Sequence, residues 1–347
     1  MPIKHLVISG GGPTSIRALG AAQHLEMNNV WKINDIETIY ATSAGAILGV
    51  ILCLRFDWET INTYIINRPW HEAFPLKAKQ ILEAYSKKGL FDNKIAEKIF
   101  APLFNAKDIP LGITLKEFYE LSRIEIHLFS LEINKFEIYD ISYKTHPDLA
   151  LFTAIHMSLA IPIIITPTCI EDKCFIDGGV VANYPLSYCL KEHSNIDEIL
   201  SFKNEYEEEE VNNIKEESTL LEFLIYFLGK LVINVDTELK QQIIPNQVSY
   251  KTPHLSFDYL KKALSSCDLR KELLHSGIDA GQDLLDRIRI RLNAEIQQNT
   301  DKNTDNNTDN NAVNNNADNN NAVKNAKNTN DESLIANPEE NNDIEEN

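Results

Sequence analysis

The sequence predicts an α/β fold of three layers, α/β/α, in which helices cover both faces of a mostly parallel central sheet. Residues 4–9 form an apolar, strand-like run that passes through three glycines into residues 16–27, whose apolar positions have helical spacing. A second strand at residues 37–42 is followed, after a tight turn, by an apolar helix at residues 44–54. This alternation of strand and helix is typical of parallel sheets with crossover helices.

The later elements continue the mixture of strands and helices. The helix over residues 147–160 begins with Pro147, whose missing N–H costs nothing in the first turn of a helix. The remaining predicted elements are mostly helices within residues 57–122, strands at 123–133, 135–142, 168–176 and 197–202, and helices at 218–235 and 268–292.

The formal net charge of −18 is concentrated in two segments. Residues 299–347 contain 19 Asn, 11 acidic residues and 3 Lys, a net charge of −8, and are predicted to form a disordered tail because they can bury little apolar area. Residues 201–218 carry −5, and the Glu-rich part at 204–217 is predicted to be a loop. The predicted folded domain, residues 1–298, is otherwise only mildly acidic. This charge disfavours nucleic acid as a partner and permits contact with lipid.

The cysteines and the apolar runs bear on the compartment. The chain has 5 Cys and no C-x-x-C pair, which argues against a disulfide framework and a structural zinc site and favours a reducing compartment. No signal peptide is evident, and the longest apolar stretch, residues 220–235, contains Glu222 and Lys230 and is too short to span a bilayer. We therefore expect an intracellular protein, cytoplasmic or peripheral to a membrane, and in the host cytosol if the source is a virus or the chain is an effector.

The first motif is Gly10-Gly11-Gly12, between a strand and a helix. Residues without Cβ let backbone N–H groups face an anion at a helix N-terminus. A dinucleotide site is disfavoured because Ser15 replaces the last glycine of its fingerprint, and no Gly-Lys-Ser/Thr follows as in a phosphate loop. An oxyanion hole is favoured, and a purely structural turn is the alternative.

The second motif is Ala41-Thr42-Ser43-Ala44-Gly45, which lies between a strand and an apolar helix. This is the context of a nucleophile elbow, in which a strained turn exposes a serine hydroxyl at the start of a helix. The alternative is that Ser43 only caps the helix.

The third motif is Asp177-Gly178-Gly179, a carboxylate at a strand end followed by two glycines that permit a close backbone approach. Taken alone, an Asp-Gly turn is the more common meaning of this motif.

In this order the motifs resemble those of the patatin-like phospholipase family, from Lys4 to about Lys191. The matching features are the glycine loop, the Ser43 elbow, Ser158-Leu159-Ala160-Ile161-Pro162 at a helix end, Asp177-Gly178-Gly179 after a hairpin, and Asn183-Tyr184-Pro185. Residues 274–281 are similar to the closing helix of the family.

The resemblance implies a patatin-like fold and a lipid acyl hydrolase of the phospholipase A type that needs no metal and no cofactor. Ser43 would be the nucleophile and Asp177 the general base of a Ser–Asp dyad that forms an acyl-enzyme. The residues implied around the dyad are the oxyanion loop Gly10, Gly11 and Gly12 and the supporting Ala44, Gly45, Gly178 and Gly179. The substrate would be a phospholipid or another acyl lipid at a membrane surface, and a protein activator is compatible with this function.

The chain departs from the family pattern in two places. Thr14 and Ser15 occupy positions that usually hold a basic residue and a glycine, and Ala41 replaces the leading glycine of the elbow. Arg17 is the nearest candidate to supply the missing positive charge. These departures motivate a catalytically inactive lipid-binding homologue as one alternative; an acyltransferase that uses the same acyl-Ser43 is another.

A histidine-containing triad is a mechanistic alternative, because the order Ser43, Asp177 and then His254 or His275 matches that of α/β-hydrolases. Here, however, the elbow follows only the second strand, whereas α/β-hydrolases place several strands before it. The order of the elements therefore favours Asp177 as the base.

Three apolar segments are candidates for contact with lipid. Residues 161–167 and 220–235 are candidates for membrane contact, although packing in the core is the favoured role of each. Trp70 and Phe74 are candidates to line an acyl pocket.

Overall fold

The computed structural model describes residues 2–75, 78–206, 214–238, 242–253 and 256–327. It divides into two compact units, Met1–Ile288 and Arg289–Asn347. The sheet and all the predicted site residues belong to the first unit.

The first unit is built on an eight-stranded sheet with the order β10-β9-β1-β2-β4-β8-β7, in which β5 pairs with β4. The strands are β1 (His5–Ile8), β2 (Thr38–Thr42), β3 (Gly89–Phe91), β4 (Glu125–Glu132), β5 (Glu137–Ile141), β6 (Ile163–Ile165), β7 (Thr168–Ile170), β8 (Lys173–Asp177), β9 (Ile199–Tyr206) and β10 (Gln247–Thr252). The five strands from β10 to β4 are parallel, whereas β5 and β8 run antiparallel to β4. Strands β3 and β6 form a separate parallel pair.

Helices cover both faces of the sheet, which confirms the predicted three-layer α/β/α architecture. They are α1 (Ser15–Met27), α2 (Ala44–Cys53), α3 (Trp58–Asn67), α4 (Trp70–Ala73), α5 (Ala78–Lys87), α6 (Ile95–Asn105), α7 (Leu115–Ser122), α8 (Leu151–Leu159), α9 (Leu186–Glu192), α10 (Leu220–Glu238), α11 (Phe257–Ser265) and α12 (Cys267–Lys327). On one face, Leu6 and Ile39 pack with α1, α2 and α8. On the other, Val7 and Tyr40 pack with α9.

Strand β4 brings the ends of two distant strands together. It pairs with β2 as far as Thr42 opposite Phe129, and its next residue, Ser130, lies opposite Asp177 on β8. Strand β8 therefore continues along β4 from the point at which β2 ends. The residues that follow β2 and those that end β8 must consequently meet.

Helices α1 and α12 cross at very short range. A Cβ placed on Gly277 would collide with the carbonyl oxygen of Arg17, and a Cβ on Gly20 would collide with the carbonyl oxygen of Leu274. Since both obstacles are backbone atoms, only glycine fits at either position of this crossing.

The structure differs from the sequence prediction in the C-terminal region. Helix α12 continues to Lys327, so residues 299–327 are helical where disorder was predicted. The prediction considered only the lack of a buried core, whereas an α-helix satisfies its backbone hydrogen bonds within itself. Residues 328–347 of the predicted tail lie outside the described residues.

The first residues of the predicted Glu-rich loop belong to a strand. Strand β9 extends to Tyr206, because Asn204, Glu205 and Tyr206 pair in parallel with β10. Residues 207–213 lie outside the described residues.

The cysteine pattern argued against a disulfide framework, but Cys169 and Cys174 form a disulfide bond. The strand-like residues 168–176 form a hairpin of β7 and β8, the element that the family resemblance places before Asp177, with a turn at Glu171, whose φ is 55°. This turn places the two cysteines directly opposite each other. A spacing rule based on C-x-x-C misses such a cross-strand pair.

The two apolar runs proposed for membrane contact, residues 161–167 and 220–235, have different environments. In the run at residues 161–167, Ile164 and Ile165 are buried, as expected. Helix α10, in the second, is two-sided: Ile225 and Leu228 are buried, whereas its other face exposes Leu220, Phe223, Phe227 and Leu231. None of the helices in the described ranges combines the length and apolar character that crossing a bilayer requires.

Candidate active site

Ser43 occupies a strained turn between β2 and α2. Its φ of 55° and ψ of −130° are unusual for a residue with a side chain, as expected of a nucleophile elbow. The turn is held from one side by the hydroxyl of Ser158, which accepts a hydrogen bond from the Ser43 N–H at 3.0 Å. Gly45 allows α2 to approach β1, because a Cβ there would lie 2.6 Å from the carbonyl oxygen of Ile8.

The Ser43 side chain points at Asp177. Its Oγ donates a hydrogen bond to Asp177 Oδ2 at 2.5 Å, and the Gly179 N–H donates to Oδ1 at 2.7 Å. Burial raises the pKa of Asp177 to about 7, although the hydrogen bonds from Ser43 and Gly179 act in the opposite direction. Asp177 can therefore exchange a proton near neutral pH.

The glycine loop lies beside this pair. Gly10 packs against the turn, where an added Cβ would lie 2.9 Å from the Ser43 Cβ, and its N–H donates to the Asn183 carbonyl at 3.0 Å. Gly12 has a φ of +55°, which glycine adopts without strain. Within the described part of the chain, the N–H groups of Gly11 and Gly12 have no acceptor. They are available to a ligand.

A cavity of about 300 Å³ opens onto these groups. Ser43, Asp177, Gly11 and Gly12 all line it, and most of its remaining lining is aliphatic or aromatic. The predicted acyl-pocket residues Trp70 and Phe74 are in this lining, as are Ile161, Ile164, Leu228 and Val232. The cavity thus offers an apolar chamber with a few polar groups at one position.

The other predicted residues are placed as follows. Ala44 and Gly179 line the cavity, and Gly178 packs on β4, where a Cβ would lie 2.5 Å from the Phe129 carbonyl oxygen. Arg17 is not among the lining residues. Its charge acts instead on Tyr250: burial raises the pKa of this phenol to about 12, and the positive charge of Arg17 acts in the opposite direction.

The histidines of the described residues do not line the cavity. His275 is exposed on α12, and His254 lies outside the described residues. Among the described side chains, the one that accepts a hydrogen bond from Ser43 Oγ is Asp177.

Sequence reasoning assigned no role to two residues that hold the site together. Ser158 fixes the backbone of Ser43, and Asn183 binds the glycine loop through its carbonyl to Gly10 N–H and its side-chain Nδ2 to Gly10 O at 3.4 Å. Both belong to motifs that were recognised as a pattern, but only the folded chain shows which groups they touch. The potential metal ligands that the described residues bring together lie elsewhere, beside β4 and β5.

Three relatives share a part of this chain. Probable lipid hydrolase 463L of Invertebrate iridescent virus 6 is 28% identical over 191 residues, which are 55% of this chain and 64% of that protein. Uncharacterized protein R571 of Acanthamoeba polyphaga mimivirus is 24% identical over 53% of this chain and 61% of its own length. Uncharacterized protein YqhO of Bacillus subtilis is 26% identical over 54% and 66%, respectively. The chain thus spans about two thirds or less of each of these relatives.

A solved structure and a family pattern complete the comparison. VipD from Legionella pneumophila has a TM-score of 0.46 and 17% sequence identity, with 82% of this chain and 67% of that chain covered. The sequence pattern of the family described as patatin-like phospholipase matches residues 6–190, more than half of the chain. The chain therefore belongs to the patatin-like phospholipase family.

Proposed function

We propose that the protein is a lipid acyl hydrolase of the phospholipase A type, with Ser43 as nucleophile and Asp177 as general base. The observation that carries the proposal is the hydrogen bond of 2.5 Å from Ser43 Oγ to a buried carboxylate at the wall of an apolar cavity. The name of the viral relative, a probable lipid hydrolase, agrees with this activity.

The first half-reaction forms an acyl-enzyme. Asp177 accepts the hydroxyl proton of Ser43 as Oγ bonds to the ester carbonyl carbon. The N–H groups of Gly11 and Gly12 stabilise the resulting oxyanion, and one such donor contributes roughly 2.7–4 kcal/mol to the transition state. Collapse of the intermediate breaks the ester C–O bond, and the leaving alcohol takes the proton back from Asp177.

The second half-reaction releases the fatty acid. Asp177 accepts a proton from water as the water oxygen attacks the acyl carbonyl, and the same two N–H groups stabilise the second oxyanion. The bond to Ser43 Oγ then breaks, and Oγ recovers the proton. The apolar lining suits the acyl chain of a lipid, because burial of each methylene contributes about 0.8 kcal/mol.

An alkyl fluorophosphonate tests the proposal directly, because it phosphonylates an activated serine. The wild-type protein should gain one covalent adduct, detected by intact-mass spectrometry, and Ser43→Ala should gain none. Ser265→Ala, which removes an exposed hydroxyl on α11, is the matched control and should react like the wild type. Absence of an adduct on the wild type in the presence of phospholipid micelles contradicts the proposal. Micelles with positionally labelled acyl chains then identify the bond that is cleaved.

The pH dependence of hydrolysis should follow Asp177. A general base acts in its ionised form, and burial raises the pKa of this carboxyl to about 7. We therefore expect kcat/KM to rise about tenfold per pH unit well below pH 7 and to level off above it. Initial rates between pH 5 and 9 measure this, with circular dichroism at each pH as a control for folding. A flat profile across pH 5 to 8 argues against Asp177 as the base.

A further inference from the structure

A second polar cluster lies on the opposite face of the sheet from the cavity. The cavity is lined by α2, whereas His127 on β4 shares its face with Phe129, which packs with Tyr40 and α9. Asp140 on β5 lies directly opposite Phe129, so its side chain is on this face too. The proposed hydrolysis uses none of these polar groups.

Three side chains of this cluster can reach one point. One ligand atom each of His127, Asp140 and Glu192 lies within 4.8 Å of the other two. The Nδ1 of His127 is 2.9 Å from Asp140 Oδ1. Glu192, at the end of α9, is exposed and free to adjust, and the Tyr40 hydroxyl donates to its Oε2 at 2.9 Å.

The imidazole of His127 is held in a fixed orientation. The Tyr40 ring stacks on it with a centroid separation of 4.2 Å and an angle of 10°. The His127 residue is 3% exposed. Packing of this kind fixes the rotamer of the imidazole and so preorganises it as a metal ligand.

The cluster contains two buried atoms that no hydrogen bond satisfies. They are Nε2 of His127 and Oε1 of Glu125, a residue that is 5% exposed; the two atoms are 3.4 Å apart. In the tautomer that carries its hydrogen on Nδ1, toward Asp140, Nε2 has no hydrogen and faces a second acceptor. The two atoms can bond each other only if Nε2 carries a hydrogen. Burial of two such atoms costs free energy, which calls for an explanation.

The charges of the cluster are also unbalanced. Three carboxylates, those of Glu125, Asp140 and Glu192, surround His127. Among the described residues, Lys144 is the one lysine or arginine that pairs with any of the three, at 2.7 Å from Glu125, and His127 pairs with Glu125 and Asp140 only if its ring carries a second proton. With a neutral His127 ring, a divalent cation beside Asp140 and Glu192 offsets the two carboxylate charges that Lys144 does not pair.

We propose that Nδ1 of His127 and the carboxylates of Asp140 and Glu192 form a binding site for a divalent transition metal of the Zn²⁺ class. Bond lengths of about 2.0–2.2 Å require that the exposed Glu192 closes on the other two ligands. They also require that Nδ1 of His127 and Oδ1 of Asp140, now 2.9 Å apart, separate by a few tenths of an ångström to admit the ion. Metal at Nδ1 moves the ring hydrogen to Nε2, which then donates to Glu125 Oε1. Both unsatisfied atoms gain a partner in a carboxylate–histidine–metal arrangement. The ion links β4, β5 and α9 and leaves a fourth position for water.

Titration of the full-length, chelator-treated protein with Zn²⁺ in a calorimeter tests the site. We expect one ion per chain, a rise in the thermal midpoint on binding, and an affinity that falls by at least about 10-fold in Glu192→Gln. His127→Ala should abolish binding. If this variant of a buried residue fails to fold, Glu192→Gln still tests the site, because Glu192 is exposed. His275→Ala removes an exposed imidazole and is the matched control.

Two results overturn the proposal. One is the absence of stoichiometric Zn²⁺ binding by the wild-type protein. The other is binding that Glu192→Gln leaves unchanged. Fluorophosphonate labelling of Ser43 should be the same in Glu192→Gln as in the wild type, because the cluster lies on the other face of the sheet.

Discussion

Asp177→Asn is expected to lower fatty-acid release by about 10²–10⁴-fold, the range for loss of a general base. The amide keeps the shape of the carboxylate beside Ser43 but cannot accept the hydroxyl proton. Release from phospholipid micelles measures the effect. Ser43→Ala removes the nucleophile and should lower the release at least as far.

Asp177→Asn is also expected to make the folded protein more stable than the wild type at alkaline pH. The pKa of Asp177 is raised from 3.8 to about 7 in the folded protein, so the folded state binds the proton more tightly than the unfolded chain does. The free energy of unfolding of the wild type therefore falls as the pH rises from about 4 to about 7. The pKa shift corresponds to a loss on the order of a few kcal/mol. The neutral amide of Asp177→Asn does not titrate. Urea unfolding should therefore show a smaller decrease in unfolding free energy between pH 5.5 and pH 8 for this variant than for the wild type.

Asp172→Asn is the matched control for both measurements. Asp172 lies in the exposed turn of the β7–β8 hairpin. Replacing it should change neither the release of fatty acid nor the pH dependence of stability. Hydrolysis that persists in Asp177→Asn would point to another base, such as a histidine, and would contradict the dyad.

Gly277→Ala is expected to lower the free energy of unfolding by about 2–3 kcal/mol or more. The added Cβ collides with the carbonyl oxygen of Arg17, a backbone atom that cannot rotate away. Helices α1 and α12 must therefore separate, and the apolar contacts around their crossing are lost. Urea unfolding followed by circular dichroism measures the change.

Gly229→Ala provides the opposite expectation in another helix. Within the part of the chain that the structure describes, no heavy atom beyond the helix's own nearby backbone and the adjacent residues lies within 4 Å of a Cβ at Gly229, so the substitution should raise helix stability by about 0.5–1 kcal/mol. Equal unfolding midpoints for Gly277→Ala and the wild type would contradict the close crossing.

The parts of the site that were predictable are those written into short stretches of sequence. One is a strand that runs through glycines into a helix, and the other is a strand that ends at Ser43 between small residues. Each of these patterns specifies an unusual local backbone geometry. The contacts of Ser158 and Asn183 were not predictable in this way, because their partners lie 115 and 173 residues away. Similarly, the pairing of Cys169 with Cys174 depends on a turn that the strand pattern conceals.

The pairing along β4 has a consequence for how members of this family can diverge. Ser43 and Asp177 are placed by adjacent steps of one strand, Phe129 and Ser130, rather than by the chain that connects them. The helical segment between α2 and β4 can therefore lengthen, shorten or exchange its helices without displacing either group. A shift of β8 by a single residue along β4, in contrast, would turn Asp177 to the other face of the sheet. Insertions before β4 should be tolerated far better than insertions inside β8.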